Sequence, residues 1–233
     1  MKTIAIIPAR SGSKGLKDKN IMDVCGRPLI DYTIKTALEA ACFETVMVST
    51  DSEKYADIAR RCGAEVPFLR SEFTSGDTAG TWDVIREVLQ NYRKMGKIFD
   101  YVAVLQPTSP LRSVDDIRGV YKMIGKDKVR NAVTVTETAH PVQWCFPLDK
   151  DKSLGDYAKS SYSQMRRQDL EKYYQENGAI YLVNAKNIMN PEYNLYLDNC
   201  YAYIMPRERS IDIDEEIDLI MLKAIIENTN GRI

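Results

Sequence analysis

The stretch Thr3-Ile4-Ala5-Ile6-Ile7-Pro8, continued by Ala9-Arg10-Ser11-Gly12-Ser13-Lys14-Gly15, decides how this chain is read. Its first part is a continuous β-branched apolar run, which predicts a parallel strand buried on both faces. A polar loop containing glycine, Arg10–Asn20, follows directly. Outward from this unit the same rhythm repeats. Leu29–Ala41 has helical spacing, Thr45–Thr50 reads as a second buried strand, and Glu53–Cys62 as a second helix. Thr81–Tyr92 is a third helix and Asp100–Leu105 the strand after it. Val114–Ile124 and Ala132–Thr136 give one more helix and strand. Such alternation predicts an α/β fold with a mostly parallel sheet and helices on both faces.

The rhythm breaks at His140–Asn177, which is polar, rich in Lys, Asp, Ser and Tyr, and weakly periodic. Strand character returns at Ala179–Val183 and Tyr201–Met205, and Ile217–Asn228 closes with an amphipathic helix. We therefore expect a single domain, 1–233, with 140–177 inserted as an arm. The tyrosines and Trp144 of that segment favour a packed or partner-binding element over a mobile loop.

Composition narrows the function. The 32 basic and 33 acidic side chains leave a net charge of −1, so no global field draws the chain to nucleic acid or an anionic membrane. Any polyanionic ligand must be met by local clustering of charge. Five scattered cysteines, with no CxxC pair, fit a reducing compartment and speak against a zinc motif. Met1–Ala9 is too short and too early broken by Pro8 for a signal peptide, and no apolar stretch approaches the roughly 18 residues of a membrane span. A cytoplasmic protein is expected.

Three segments carry chemistry. In the first loop, small residues let backbone N–H groups approach a ligand, while Arg10 and Lys14 add positive charge. Backbone donors plus cations suit a triphosphate, and ligands of open α/β sheets sit beyond the carboxyl ends of strands. The spacing is neither that of a Walker A loop nor GxGxxG. Near the C-terminus, Ser210-Ile211-Asp212-Ile213-Asp214 alternates, placing Asp212 and Asp214 on one face of an extended segment. Two adjacent carboxylates suit Mg2+, which takes one or two carboxylates together with substrate phosphates. Capping of the last helix is an equal reading of these two, and the better one for Glu215, Glu216 and Asp218. The third segment, Leu105–Arg112, is stiffened by two prolines and offers Gln106, Thr108, Ser109 and Arg112 at a strand's carboxyl end.

With these segments in place, the chain resembles the acylneuraminate cytidylyltransferases, or CMP-sialic acid synthetases, over nearly its whole length. The resemblance rests on IPARSGSKGLKDKN (Ile7–Asn20), LQPTSPLR (Leu105–Arg112), NGAIY (Asn177–Tyr181) and SIDIDEEIDL (Ser210–Leu219). It implies a nucleotide-diphospho-sugar transferase-like fold. It also implies attack by the anomeric hydroxyl of a nonulosonic acid on the α-phosphorus of CTP, with release of pyrophosphate. Arg10, Ser13, Lys14, Lys19, Asn20 and Asp77 would bind the nucleotide. Gln106, Thr108, Ser109, Arg112 and Tyr181 would line the sugar side. Asp212 and Asp214 match the metal carboxylates, and the catalytic set is Arg10, Lys14, Asp212 and Asp214. The family's arm implies a homodimer in which Arg166 or Arg167 approaches the partner's sugar site. Two rivals are a same-fold enzyme for a related acid such as legionaminate, and a non-catalytic sugar-nucleotide binding module.

Overall fold

Ile4 and Ile6 point to one side of the first strand and Ala5 and Ile7 to the other, and all four are fully buried. That arrangement requires apolar cover on both faces, and the rest of the chain supplies it. The structure is a computed structural model that describes residues 1–12, 15–76, 79–126, 128–148 and 150–229. Six strands form one sheet: β1 (Thr3–Pro8), β2 (Thr45–Ser49), β3 (Tyr101–Val104), β4 (Asn131–Glu137), β5 (Tyr174–Asn184) and β6 (Cys200–Ile204). The longer helices are α1 (Leu29–Ala40), α2 (Glu53–Arg61), α3 (Thr81–Lys94), α4 (Val114–Met123) and α5 (Glu216–Asn228).

The spatial order is β2-β1-β3-β5-β4-β6. β1 pairs in parallel with β2 and β3, and β4 with β6. β5 runs antiparallel to both of its neighbours, β3 and β4. Ala5 and Ile7 pack with Ile30 and Ile34 of α1, whereas Ile4 and Ile6 pack with Ile85, Val88 and Leu89 of α3. Truncating one such isoleucine to alanine costs about 2–5 kcal/mol, because the site cannot fully collapse. A third cluster joins Ile213 to Leu219, Leu222 and Ile226 of α5 and to Leu29 and Tyr32 of α1.

The inserted segment is shorter than its sequence suggests. Tyr174, Gln175 and Glu176 pair with Glu137, Thr136 and Val135, so Tyr174–Asn177 belongs to β5. The excursion is therefore 138–173, entering and leaving the sheet at the facing pair Glu137 and Tyr174. The exposed polar residues Tyr174, Gln175 and Glu176 hid this strand extension, because backbone pairing needs no apolar face. Among the described residues of the excursion only short helical turns form, including Gly155–Ala158 and Ser161–Gln164.

Candidate active site

β1, β2 and β3 release their loops at the same sheet edge, and these loops meet the segment before α5. Ala9 N donates to Ser49 O at 2.8 Å, extending the β1 and β2 pairing by one residue. The loop then leaves the sheet. Ser11 donates its backbone N–H (2.7 Å) and hydroxyl (2.6 Å) to the two carboxylate oxygens of Asp51. Burial alone would raise the Asp51 carboxyl, but the bonds from Ser11 and the charge of Arg70 outweigh it and hold the group low. At its far end the loop is held by Asp18, which accepts from Lys54 Nζ and Tyr55 Oη, both at 3.0 Å. Asp18 has φ 55°, a left-handed conformation open to aspartate.

Lys19 ties the loop to the acidic segment. Its Nζ donates to Ile213 O at 2.6 Å and to Asp214 Oδ1 at 2.9 Å. Gly15 approaches the same place: a Cβ there would lie 2.8 Å from Asp214 O. Ile213 N donates to Thr108 O at 2.8 Å. The basic turn near the start and the carboxylate segment near the end are thus in direct contact, beside Lys19 and Thr108.

The two readings of Asp212 and Asp214 separate here. Capping of α5 is done by Asp218, whose Oδ2 accepts from Asp214 N (2.9 Å) and Glu215 N (2.8 Å). Ile213 is fully buried, whereas its neighbours Asp212 and Asp214 are exposed. Desolvation by the surrounding protein, with Asp214 and Asp218 close by, raises the Asp212 carboxyl above its ordinary range, against the pull of Thr108 and Lys19. Among the described residues no group of three or more His, Cys, Asp or Glu side chains is arranged to hold a metal. A cation between Asp212 and Asp214 would need oxygens from a ligand, as Mg2+ at phosphates does.

The cleft itself, about 250 Å³, is lined by Arg10, Lys19, Asn20, Arg70, Gln106 and Thr108, with Ala79, Thr81 and Val84 on its far wall. Asn20 is buried and its Nδ2 donates to Arg10 O at 3.2 Å, fixing the loop's entrance. A larger groove, about 890 Å³ between α1, α4 and α5, sets its cations Arg27, Lys35, Arg118 and Arg209 among the carboxylates Asp31, Glu39, Asp115 and Glu208, whereas among the described residues no carboxylate lines the smaller cleft. Chemistry, not size, selects the smaller cleft.

Arg70 and Asp51 were not singled out from sequence. Arg70 donates Nε to Ser49 Oγ and Nη2 to Ser49 O, both at 2.9 Å. Burial pulls its guanidinium down to about 10, against the opposing pull of Asp51 and Glu87. Asp51 follows the carboxyl end of β2, a position that could have been flagged. Arg70 lies in no motif.

Tyr181 stands beside the acidic segment. Its ring meets Trp82 edge to face, with centroids 6.0 Å apart at 88°, and its hydroxyl donates to Glu176 Oε2 at 2.9 Å. Burial and that bond push its phenol up.

Two expectations are corrected. Ser109 and Arg112 do not face the cleft, since they are 0% and 1% exposed. Ser109 Oγ donates to Asn177 O at 3.2 Å. Arg112 donates to Ala179 O (2.9 Å), Thr33 Oγ1 (2.9 Å) and Gln106 O (2.5 Å). Both hold the proline loop from behind, because buried carbonyls there need donors. Arg166 and Arg167 lie exposed on the excursion, Arg166 pairing with Asp169 at 2.9 Å, and neither lines the cleft within one chain. Ser13, Lys14 and Asp77 fall outside the described residues.

The Cytidylyltransferase family profile matches residues 4–222. The chain belongs to the cytidylyltransferase family. It is 37% identical to a CMP-N,N'-diacetyllegionaminic acid synthase of Legionella pneumophila, over 97% of each chain. It is 32% identical to a pseudaminic acid cytidylyltransferase of Campylobacter jejuni, over 97% of this chain and 96% of that one. An N-acylneuraminate cytidylyltransferase of Escherichia coli is 37% identical over 98% of this chain but only 53% of its own length. Among solved structures, a CMP:2-keto-3-deoxy-manno-octonic acid synthetase complexed with CTP matches with a TM-score of 0.74, at 17% identity, over 98% of this chain and 100% of that one. A 4-diphosphocytidyl-2C-methyl-D-erythritol synthase of Anaerococcus prevotii matches with a TM-score of 0.67 at 14% identity, covering 97% and 98%. These structures share the cytidylyltransferase fold. As in the sequence, the described cytidylyltransferase residues contain no helix long and apolar enough to cross a membrane.

Proposed function

We propose that this cytidylyltransferase transfers CMP from CTP to the anomeric hydroxyl of a nonulosonic acid and releases pyrophosphate. The observation that supports the reading is the contact of Lys19, which lines the cleft, with Ile213 O and Asp214 of the acidic segment. The named activities of the Legionella, Campylobacter and Escherichia relatives support the substrate class.

The triphosphate lies along the loop after β1. Arg10 and Lys14 offset the charge that builds on the leaving pyrophosphate, with Lys19 beside them; transfer of this kind needs positioning and electrostatics above all. Ser13, Asn20 and Asp77 complete the nucleotide side. Asp212 and Asp214 would hold Mg2+, which when bound neutralises phosphate charge and orients the pyrophosphate. Gln106 and Thr108 of the cleft wall would meet the sugar, with Tyr181, braced by Trp82 and Glu176, completing the sugar side.

The active form is a homodimer in this reading. The excursion exposes Val142, Phe146, Leu148, Leu154, Tyr162 and Met165, apolar area that a second copy would cover. Arg166 or Arg167 would then reach the sugar carboxylate of the partner's site. Five free cysteines suit a reducing compartment, and the enzyme acts in the cytoplasm.

The full-length match to the legionaminate enzyme favours a second reading, in which N,N'-diacetyllegionaminate is the acceptor. Pyrophosphate release is measured with each of four nucleoside triphosphates and with neuraminate, legionaminate and pseudaminate acceptors, and the product is weighed by mass spectrometry. CTP with one nonulosonic acid should give a CMP-sugar. CTP binding with no pyrophosphate from any acceptor would leave only a binding module.

A further inference from the structure

Outside the cleft, Asp116 is a buried and heavily bonded charged group. It is the N3 residue of α4 and 1% exposed. Its two carboxylate oxygens take four donors. Ser113 contributes its backbone N–H at 2.9 Å and its hydroxyl at 2.8 Å. Arg209 contributes a fork: Nε to Oδ2 at 2.9 Å and Nη2 to Oδ1 at 2.8 Å. The bonds from Ser113 close the cap of α4, so the place of Asp116 is set by that helix.

Capping does not require Arg209. Arg209 ends the turn Arg207–Arg209, three residues before Asp212. A bidentate Arg-carboxylate pair fixes both the direction and the distance of its bearer. The same segment is pinned at two further points: Asn177 Nδ2 donates to Ser210 Oγ at 2.9 Å, and Ile213 N to Thr108 O at 2.8 Å. Arg112, whose buried guanidinium is favoured by the charge of Asp116 without a direct bond to it, holds Gln106 O. The acidic segment therefore runs back to Asp116 by a direct fork, while the proline loop is held by Arg112. Gln106 and Thr108 stand on the proline loop, and Asp212 and Asp214 on the segment after Arg209.

We infer that Asp116 is a positioning residue that, through its fork with Arg209, sets where Asp212 and Asp214 stand beside the cleft. This rests on the proposed role of those two aspartates. A pair that only stabilised the fold would give the same penalty whether or not Asp212 is present.

The test uses the full chain and five variants: Arg209→Gln, Arg209→Lys, Asp116→Asn, Asp212→Asn and the double variant Arg209→Gln/Asp212→Asn. Mn2+ is titrated in the presence of CTP and followed by water-proton relaxation. Turnover, CTP binding without divalent ion, and circular dichroism accompany it. Arg209→Gln should weaken Mn2+ binding and lower kcat by about 10–100-fold each, as loss of an outer support does at metal sites. CTP binding without the ion should stay within about threefold, and Arg209→Lys should recover part of the loss. In the Asp212→Asn background, adding Arg209→Gln should change Mn2+ binding by less than about threefold.

The inference is overturned if Arg209→Gln binds Mn2+ like wild type, or if its penalty is unchanged without Asp212. Should Arg209→Gln fail to fold, Arg209→Lys and Asp116→Asn are judged by the same thresholds. If Asp212→Asn keeps Mn2+ binding and turnover, the role of the aspartates falls and this inference with it. If Asp212→Asn loses both while Arg209→Gln stays normal, only the positioning role falls.

Discussion

Replacing Lys19 by methionine tests the central juxtaposition, because it removes the cation and keeps the stem. The side chain of Lys19 is 12% exposed and that of Asp214 is 71% exposed. The bond to the Ile213 carbonyl is charge-assisted and sheltered, and such bonds contribute about 1.5–3 kcal/mol. The Asp214 arm is mostly solvated, so screening limits it to less than about 1 kcal/mol. Methionine retains most of the apolar packing of the lysine stem. We therefore expect a loss of about 2 kcal/mol, which for a chain of this size lowers Tm by about 4–8 °C. The effect on chemistry should be larger. A fixed cationic donor at developing charge contributes about 10²–10³ in kcat. The assay is pyrophosphate release by folded protein, well below its Tm, with CTP and the acceptor both varied. A Lys19→Met enzyme within about threefold of wild-type kcat would refute the placement of the triphosphate on this loop.

Three further outcomes follow from the geometry. Arg112→Met should unfold at distinctly lower urea, because Ala179 O, Gln106 O and Thr33 Oγ1 lose their donor at about 1–3 kcal/mol each. A stable variant with only a raised sugar KM would instead return Arg112 to the sugar site. Gly15→Ala should lower both stability, by about 1–3 kcal/mol, and kcat, since its Cβ would press on the Asp214 backbone and no side chain can yield; unchanged turnover would mean that the loop moves away from Asp214 in solution. Asp116 predicts a pH effect. Burial would raise its carboxyl, but bonds from Arg209 and Ser113 outweigh this and hold it low. A carboxyl lowered by folding adds stability that is present above its unfolded value near about 4 and is lost as pH falls through the folded value. The wild-type urea midpoint should therefore drop more steeply below about pH 4 than that of Asp116→Asn; parallel curves would count against the pairing.

Much of the architecture was legible because burial on two faces leaves a mark on composition. Thr3–Pro8, Thr45–Ser49 and Tyr101–Val104 are apolar runs where helices cover both sides of the sheet. The alternation at Ile211–Asp214 correctly separated the buried Ile213 from the two aspartates, and the loop after β1 lay where strand order in an open sheet puts ligands. Those signals are local, so a sequence can carry them. The direction of β5 and the return of the chain at Tyr174 depend on which strand lies alongside, and pairing partners are not written in either strand alone. Whether Arg112 faced ligand or core turned on which carbonyls Ala179 and Gln106 left unpaired. Arg70 and Asp51 joined the site through Ser49 and Ser11, contacts made across loops. The residue types and their order set the candidate chemistry. Only packing decided which polar side chains were spent on holding the cleft and which were left to act in it, because a buried donor is committed to its acceptors before any ligand arrives.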